Sequence, residues 1–169
     1  MPDLLDAEGM RKSARKIRQL RKEIFSQELL PKVQPFPRIL ESLEALRDLG
    51  IRMLLASSAQ AAEVRLHVRT LVIGDLIDGT TSSADVMFSK PSPEIFQVAL
   101  DEIEAPKSRT LIVGDTPYDI LAAHRASTPI AAVRCGGFSE KKLEKAEWIF
   151  DDVPEIVERI DQIDEYFHR

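Results

Sequence analysis

Three short apolar runs, IRMLLA (51–56), TLIVG (110–114) and IAAVR (130–134), alternate with stretches whose apolar residues recur every three to four positions. A strand that is apolar on both faces belongs to a parallel sheet covered by helices on each side. The alternation predicts an α/β fold, a three-layer sandwich on a Rossmann-like parallel sheet. Trp148 to Phe150 reads as a further strand, and Leu76 and Ile77 as a brief edge strand inside the polar segment 74–93.

The helices follow from periodicity and punctuation. Ile17, Leu20, Ile24 and Phe25 mark an amphipathic helix over 11–30, which Pro31 and Pro35 break. Pro37 suits the first turn of a second helix with Ile39, Leu40, Leu43 and Leu46 inward, and Gly50 ends it. A third spans 59–71, and Ser92 with Pro93 opens a fourth, whose buried face is Ile95, Phe96, Val98, Ala99, Leu100 and Ile103. Pro117 starts a helix running to Ala126, Ser139 caps a short one, and Pro154 opens the last, with Ile156, Val157, Ile160 and Ile163 inward.

At 169 residues the chain has room for one domain with a small appendage. With 44% hydrophobic and 30% charged residues it can bury a core. The formal net charge of −5 argues against general nucleic-acid binding, which needs surplus cations to replace phosphate counterions. No stretch is apolar and long enough to cross a membrane and no signal peptide is visible, so the expected compartment is the cytoplasm. Cys135 stands alone and reads as a small residue at a strand end, which leaves no disulfide or Cys-based metal site within one chain. Seven cations between Arg11 and Lys22 read as a solvated helix face, and the seven acids between Asp151 and Glu165 could balance them.

Ligands of parallel sheets bind at the carboxyl ends of the strands, and three polar sets stand there. Ser57 and Ser58 follow IRMLLA ahead of a helix start, a corner suited to a phosphate or simply to a helix cap. Lys90, in SKPSP, is a cation on a constrained loop that could neutralise phosphate oxygens, or else a solvated lysine. In LIVGDTPYDILAA, Gly114 lets the backbone bend after the strand, and Asp115 and Asp119 lie four residues apart across the strand end and first helical turn. Two neighbouring carboxylates repel unless a cation sits between them, and Mg²⁺ takes such oxygen ligands while keeping waters. The structural alternative is N-terminal capping by Asp115 with Asp119 favoured by the helix dipole.

The ordered set LLAS57S, SK90PSPEIF, LIVGD115TPYD119ILAA and VRCGGFS resembles the second to fourth motifs of the haloacid dehalogenase-like (HAD) hydrolase superfamily, in its phosphoglycolate-phosphatase-like branch. The resemblance covers Pro35 to the C-terminus. It implies a Rossmann-like core, Mg²⁺ as cofactor, a small phosphorylated metabolite as partner, and phosphomonoester hydrolysis through an aspartyl-phosphate. By it Ser57 would bind the transferring phosphoryl group. Lys90 would be a catalytic and substrate-binding residue holding phosphate and nucleophile together. Asp115 would bind the metal, and Asp119 would support that metal site.

The family's first motif, an apolar strand ending in Asp-x-Asp-x-Thr, is not present. Either LLDAEGM (4–10) imitates it, with Asp6 as nucleophile and Glu8 as acid, or these residues open the basic helix. Residues 1–34 resemble the last part of a helical cap, with 35–169 as the core. The expectation is thus a chain without the first strand and most of the cap. That strand would lie between those ending at Ser57 and Asp115. Its neighbours are expected to close up and pair, or the place to be taken by another chain, as in a homodimer, or by residues 1–6. The corresponding functions are a Mg²⁺-dependent phosphatase-type hydrolase or a catalytically inactive relative that binds metal, phosphate or a protein partner.

Overall fold

The structure is a computed structural model, and it describes residues 7–168. Two compact units are present, one ending at Pro35 and one starting at Phe36.

The first unit is a helix, α1 (Ala7–Ile24), which widens into a π turn over Phe25–Leu29 and tightens into a 3₁₀ turn over Leu30–Lys32. Pro31 lacks an N–H and clashes with the carbonyl four residues back, so the α pattern cannot pass it. Ile17 is 66% exposed, and Leu20, Ile24 and Leu29 are exposed too, whereas Phe25 of the same apolar stripe is half-buried. Asp6 lies outside the described residues, whereas Glu8 stands in α1, as a helix start requires.

The second unit begins with α2 (Ile39–Asp48). Pro37 stays outside it, because Arg38 takes the N-cap with a left-handed φ of 59° and sends its guanidinium to Glu158, 2.8 Å away. Gly50, at φ +76°, closes the helix as expected. Strand β1 (Leu54–Ala56) and helix α3 (Ala61–Thr70) follow. The next strand, β2, is Gly79–Thr81 rather than Leu76 and Ile77. Asp78 decides this: its N–H donates to the Met53 carbonyl at 2.7 Å and its carboxylate accepts the Met53 N–H at 2.7 Å, which pins the register just before β2.

The chain continues through α4 (Glu94–Glu102), β3 (Ile112–Gly114), α5 (Pro117–Ala126), β4 (Ile130–Val133), α6 (Glu140–Leu143), β5 (Trp148–Phe150), α7 (Val153–Glu158) and α8 (Ile160–Phe167). Three local expectations change. Pro93 holds the N-cap position of α4, while the Ser92 hydroxyl turns to Glu94 at 3.1 Å. Ser139 sits at the N-cap of α6 without a side-chain bond. The single last helix is two, interrupted at Arg159, and Asp152 caps the first by accepting the Glu155 N–H at 3.0 Å. Three acids of this tail pair with cations of the second unit: Glu158 with Arg38, Asp151 with Arg134, and Glu155 with Arg159.

The described strands form two parallel sheets, β1–β2 and β3–β4–β5. Ile112, Ile130 and Ala132 pack with Ile95, Phe96, Ile120 and Ala123, while Ala131, Val133 and Phe150 pack with Ile156 and Ile163. The three-strand sheet is therefore covered on both faces, by α4 and α5 on one and by α7 and α8 on the other, which is the three-layer α/β arrangement. Strands β1 and β3 are not hydrogen-bonded to each other, so the expected closing up of these neighbours does not occur. Val113, in the middle of β3, keeps 45% of its surface exposed, unlike the buried residues of β4 beside it.

Candidate functional site

An open cleft of about 440 Å³ lies where β1 and β3 end. Ser57, Lys90, Asp115 and Asp119 all line it, joined by Thr116 and Tyr118. The four residues singled out from sequence spacing are thus brought together.

The β3–α5 corner is the most tightly built part. Thr116 is the N-cap of α5: its hydroxyl accepts the Asp119 N–H at 3.2 Å, and the Asp119 carboxylate accepts the Thr116 N–H at 3.0 Å in return. This reciprocal capping box satisfies two backbone donors that a helix start otherwise leaves bare. Capping thus belongs to Thr116 and Asp119, not Asp115, and the T-x-x-D spacing in the sequence is the signal that marks it.

Asp119 is only 3% exposed. One of its oxygens accepts the Lys90 ammonium at 2.6 Å, and the other accepts the Thr116 hydroxyl at 2.6 Å. Burial acts to raise its pKa, but the hydrogen bonds from Lys90 and Thr116 outweigh it and hold the carboxyl below the ordinary value. Asp115 shifts the other way. Burial pushes its pKa up, and the negative charge of Asp119 adds to this.

Two glycines make this packing possible. A Cβ on Gly114 would stand 2.5 Å from the Asp119 Cβ and 2.9 Å from its Cγ, so the glycine serves close approach rather than a bend. A Cβ on Gly136 would stand 2.6 Å from the Asp115 Cβ and 2.7 Å from its Cγ. Gly136 follows β4, and only the β3–β4 pairing reveals its role beside Asp115.

Lys90 keeps 18% of its side chain exposed, with its ammonium 5.1 Å from the centre of the Phe96 ring as well as against Asp119. Its peptide bond to Pro91 is cis. On the opposite wall the Ser57 N–H donates to the Thr81 carbonyl at 3.1 Å, prolonging the β1–β2 ladder. The Ser57 hydroxyl accepts the Ala59 N–H at 3.1 Å, which leaves its own proton to donate to a ligand. Cys135 lies near Asp115, and burial followed by that carboxylate raises its thiol pKa, so it stays protonated.

A divalent cation fits part of this donor set. Asp115 offers hard carboxylate oxygens in a place that penalises its charge, which a cation would relieve, whereas both Asp119 oxygens already accept hydrogen bonds. Among the described residues no group of three or more His, Cys, Asp or Glu side chains gathers to enclose a metal. The arrangement suits an ion such as Mg²⁺, which keeps several waters and takes one or two protein carboxylates plus phosphate oxygens.

Residues 3–133 match the family described as haloacid dehalogenase-like hydrolase. The chain belongs to that family. Among curated relatives, the pyrophosphatase PpaX of Oceanobacillus iheyensis is 28% identical over 127 residues, 74% of this chain and 59% of its own. The probable phosphatase IndB of Dickeya dadantii is 28% identical over 138 residues, 79% of this chain and 60% of its own. The chain thus spans about three fifths of these HAD relatives. A hydrolase from Pseudomonas syringae superposes with a TM-score of 0.79 at 24% identity, over 95% of this chain and 75% of that one. A beta-phosphoglucomutase from Clostridium difficile superposes with a TM-score of 0.74 at 18% identity, over 97% and 69%. These structures share the HAD-like fold that the motif order implies. No described helix is long and apolar enough to cross a membrane.

Proposed function

We propose that this chain carries the phosphate-holding and cation-holding parts of a phosphomonoester hydrolase site, acting on a small phosphorylated metabolite with Mg²⁺, in the cytoplasm. The observation that carries the reading is the convergence of the Ser57 hydroxyl, the Lys90 ammonium and the Asp115 carboxylate on one cleft. Ser57 donates to one phosphoryl oxygen, and Lys90 neutralises another while Asp119 holds its ammonium in place. Asp115, with water, would hold Mg²⁺, which when bound supplies charge neutralisation to the phosphoryl group. Residues through about 34 fit the remnant of a helical cap.

Hydrolysis by this route needs a carboxylate nucleophile. Its oxygen attacks phosphorus in line, the bond to the leaving oxygen breaks with protonation of that oxygen, and water then attacks phosphorus, releasing phosphate and restoring the carboxylate. Among the described lining residues the carboxylates are Asp115 and Asp119, the second already engaged by Lys90 and Thr116. A second reading rests on that: the chain by itself binds phosphate and Mg²⁺ with little turnover, and the further carboxylate that hydrolysis needs comes from another chain such as a second copy.

Phosphate release from p-nitrophenyl phosphate with and without Mg²⁺ tests both, using the wild type, Asp6→Asn and Asp115→Asn. Mg²⁺-dependent turnover lost in both variants supports the hydrolase with Asp6 as nucleophile. Absent turnover, with Mg²⁺ raising the Tm of the wild type but not of Asp115→Asn, supports binding alone. Neither turnover nor a Mg²⁺ response removes both.

A further inference from the structure

The loop carrying Lys90 is tied down by groups that do not line the cleft. On α5, six residues after Asp119, the Arg125 guanidinium donates to the Pro91 carbonyl at 2.7 Å. Helix α5 therefore holds neighbouring residues of the loop in two ways: Asp119 takes the Lys90 side chain, and Arg125 takes the Pro91 backbone. From α4, the Glu94 carboxylate accepts the Met87 N–H at 2.8 Å and the Phe88 N–H at 3.2 Å, closing the other end of the same loop.

We propose that Arg125 is a positioning residue for Lys90. A lysine reaches its ligand on a four-carbon stem with many rotamers, so where the ammonium points depends on where the backbone sits. In the empty cleft the Asp119 ion pair and the Arg125 backbone anchor together set where the ammonium sits, but an arriving phosphate competes with Asp119 for the same donors. From then on the backbone anchor keeps the stem's origin fixed, and a displacement of about 1 Å at a charged contact is enough to weaken it markedly. Arg125 acts on the peptide carbonyl alone and is not among the residues lining the cleft, so it does this without adding a ligand for the anion. The positioning role rests on the phosphate reading of the cleft, while the anchor itself can be tested apart from it.

The experiment compares the wild type with Arg125→Ala, Arg125→Lys and Arg109→Ala, the last removing an exposed cation elsewhere on the surface. Binding of inorganic phosphate is measured by calorimetry, Tm by melting, and the Lys90 ammonium by its ¹⁵N signal without phosphate, assigned through Lys90→Met. Arg125→Ala should weaken phosphate binding three- to tenfold, move the Lys90 signal and change Tm by under about 2 °C. Arg125→Lys, which keeps a donor for the Pro91 carbonyl, should recover at least half the lost affinity, and Arg109→Ala should behave as wild type. Three outcomes overturn the proposal: unchanged affinity and signal in Arg125→Ala, equal weakening in Arg109→Ala, or a fall in Tm with no rescue by lysine. If the wild type itself does not bind phosphate, the functional reading fails and the Lys90 signal alone decides: moved by Arg125→Ala and restored by Arg125→Lys it upholds the anchor, unmoved it removes it.

Discussion

Just past the end of β3, Asp119 in the first turn of α5 is held by Lys90, by Thr116 and by the space that Gly114 leaves, and β3 itself is paired to β4 and backed by the buried core. At the end of β1, Ser57 has the Thr81 carbonyl on one side and the Ala59 N–H on the other, in a two-strand ladder whose β1 residues are half-buried. One wall of the cleft is thus part of the core, and the other is a small sheet with its own register. The β3 wall has its geometry set before any ligand arrives. The β1 wall supplies hydrogen bonds but little stability. The contrast teaches that substitutions at Gly114 and Asp119 should register first as lost folding, and those on the β1 side first as lost binding.

The largest effect that could break this comparison is at Asp119. Asp119→Ala strips a mostly buried ammonium of its partner and removes half the capping box, and should cost about 3 kcal/mol in urea unfolding, below the full price of a buried pair because Lys90 retains some water. Because its pKa is held below the unfolded value, Asp119 contributes stability above the ordinary carboxylate range and loses it as pH falls through the folded value. The difference between wild type and variant should therefore shrink in acid, and an equal loss at all pH values would refute the ionic account.

Gly114→Ala comes next, at about 2 kcal/mol, because the added methyl meets the Asp119 Cβ and Cγ rather than a flexible tip. A variant as stable as wild type by denaturant titration would show that the corner is slack.

Asp115→Asn should act in the opposite direction. Its pKa is raised in the folded protein, so the ionised form opposes folding at neutral pH and this penalty is absent below the unfolded value near 3.8. The variant should melt about 1–3 °C higher at pH 7 and lose that advantage in acid. A lower Tm at pH 7 would mean that the charge is already compensated within the chain.

Ser57→Ala should be the mildest for folding, at about 0.5–1 kcal/mol for one partly exposed hydrogen bond, with a several-fold loss of phosphate affinity in the same calorimetry. A stability loss as large as that of Gly114→Ala would erase the distinction between the two walls.

Much of this layout is legible in one dimension. Apolar runs mark β1, β3, β4 and β5, because strands of a helix-covered parallel sheet are apolar along most of their length. The pairing of Asp115 with Asp119 is legible because the turn between strand and helix spans only a few residues. β2 was not legible: it is made of Gly79, Thr80 and Thr81, and its place comes from Asp78 gripping Met53, 25 residues earlier. Apolar content pointed instead to Leu76 and Ile77.

The amino-acid order by itself determined the α/β class, the polar residues at the strand ends and the membership of the haloacid dehalogenase-like family, since these depend on composition and short spacing. Only the tertiary structure decided that Lys90 meets Asp119, that Gly136 makes room for Asp115, that Arg125 anchors Pro91, and that β1 and β3 stay unpaired. Each of these joins groups from different elements of the chain, and which groups meet is set by strand register and helix packing, which no local pattern encodes.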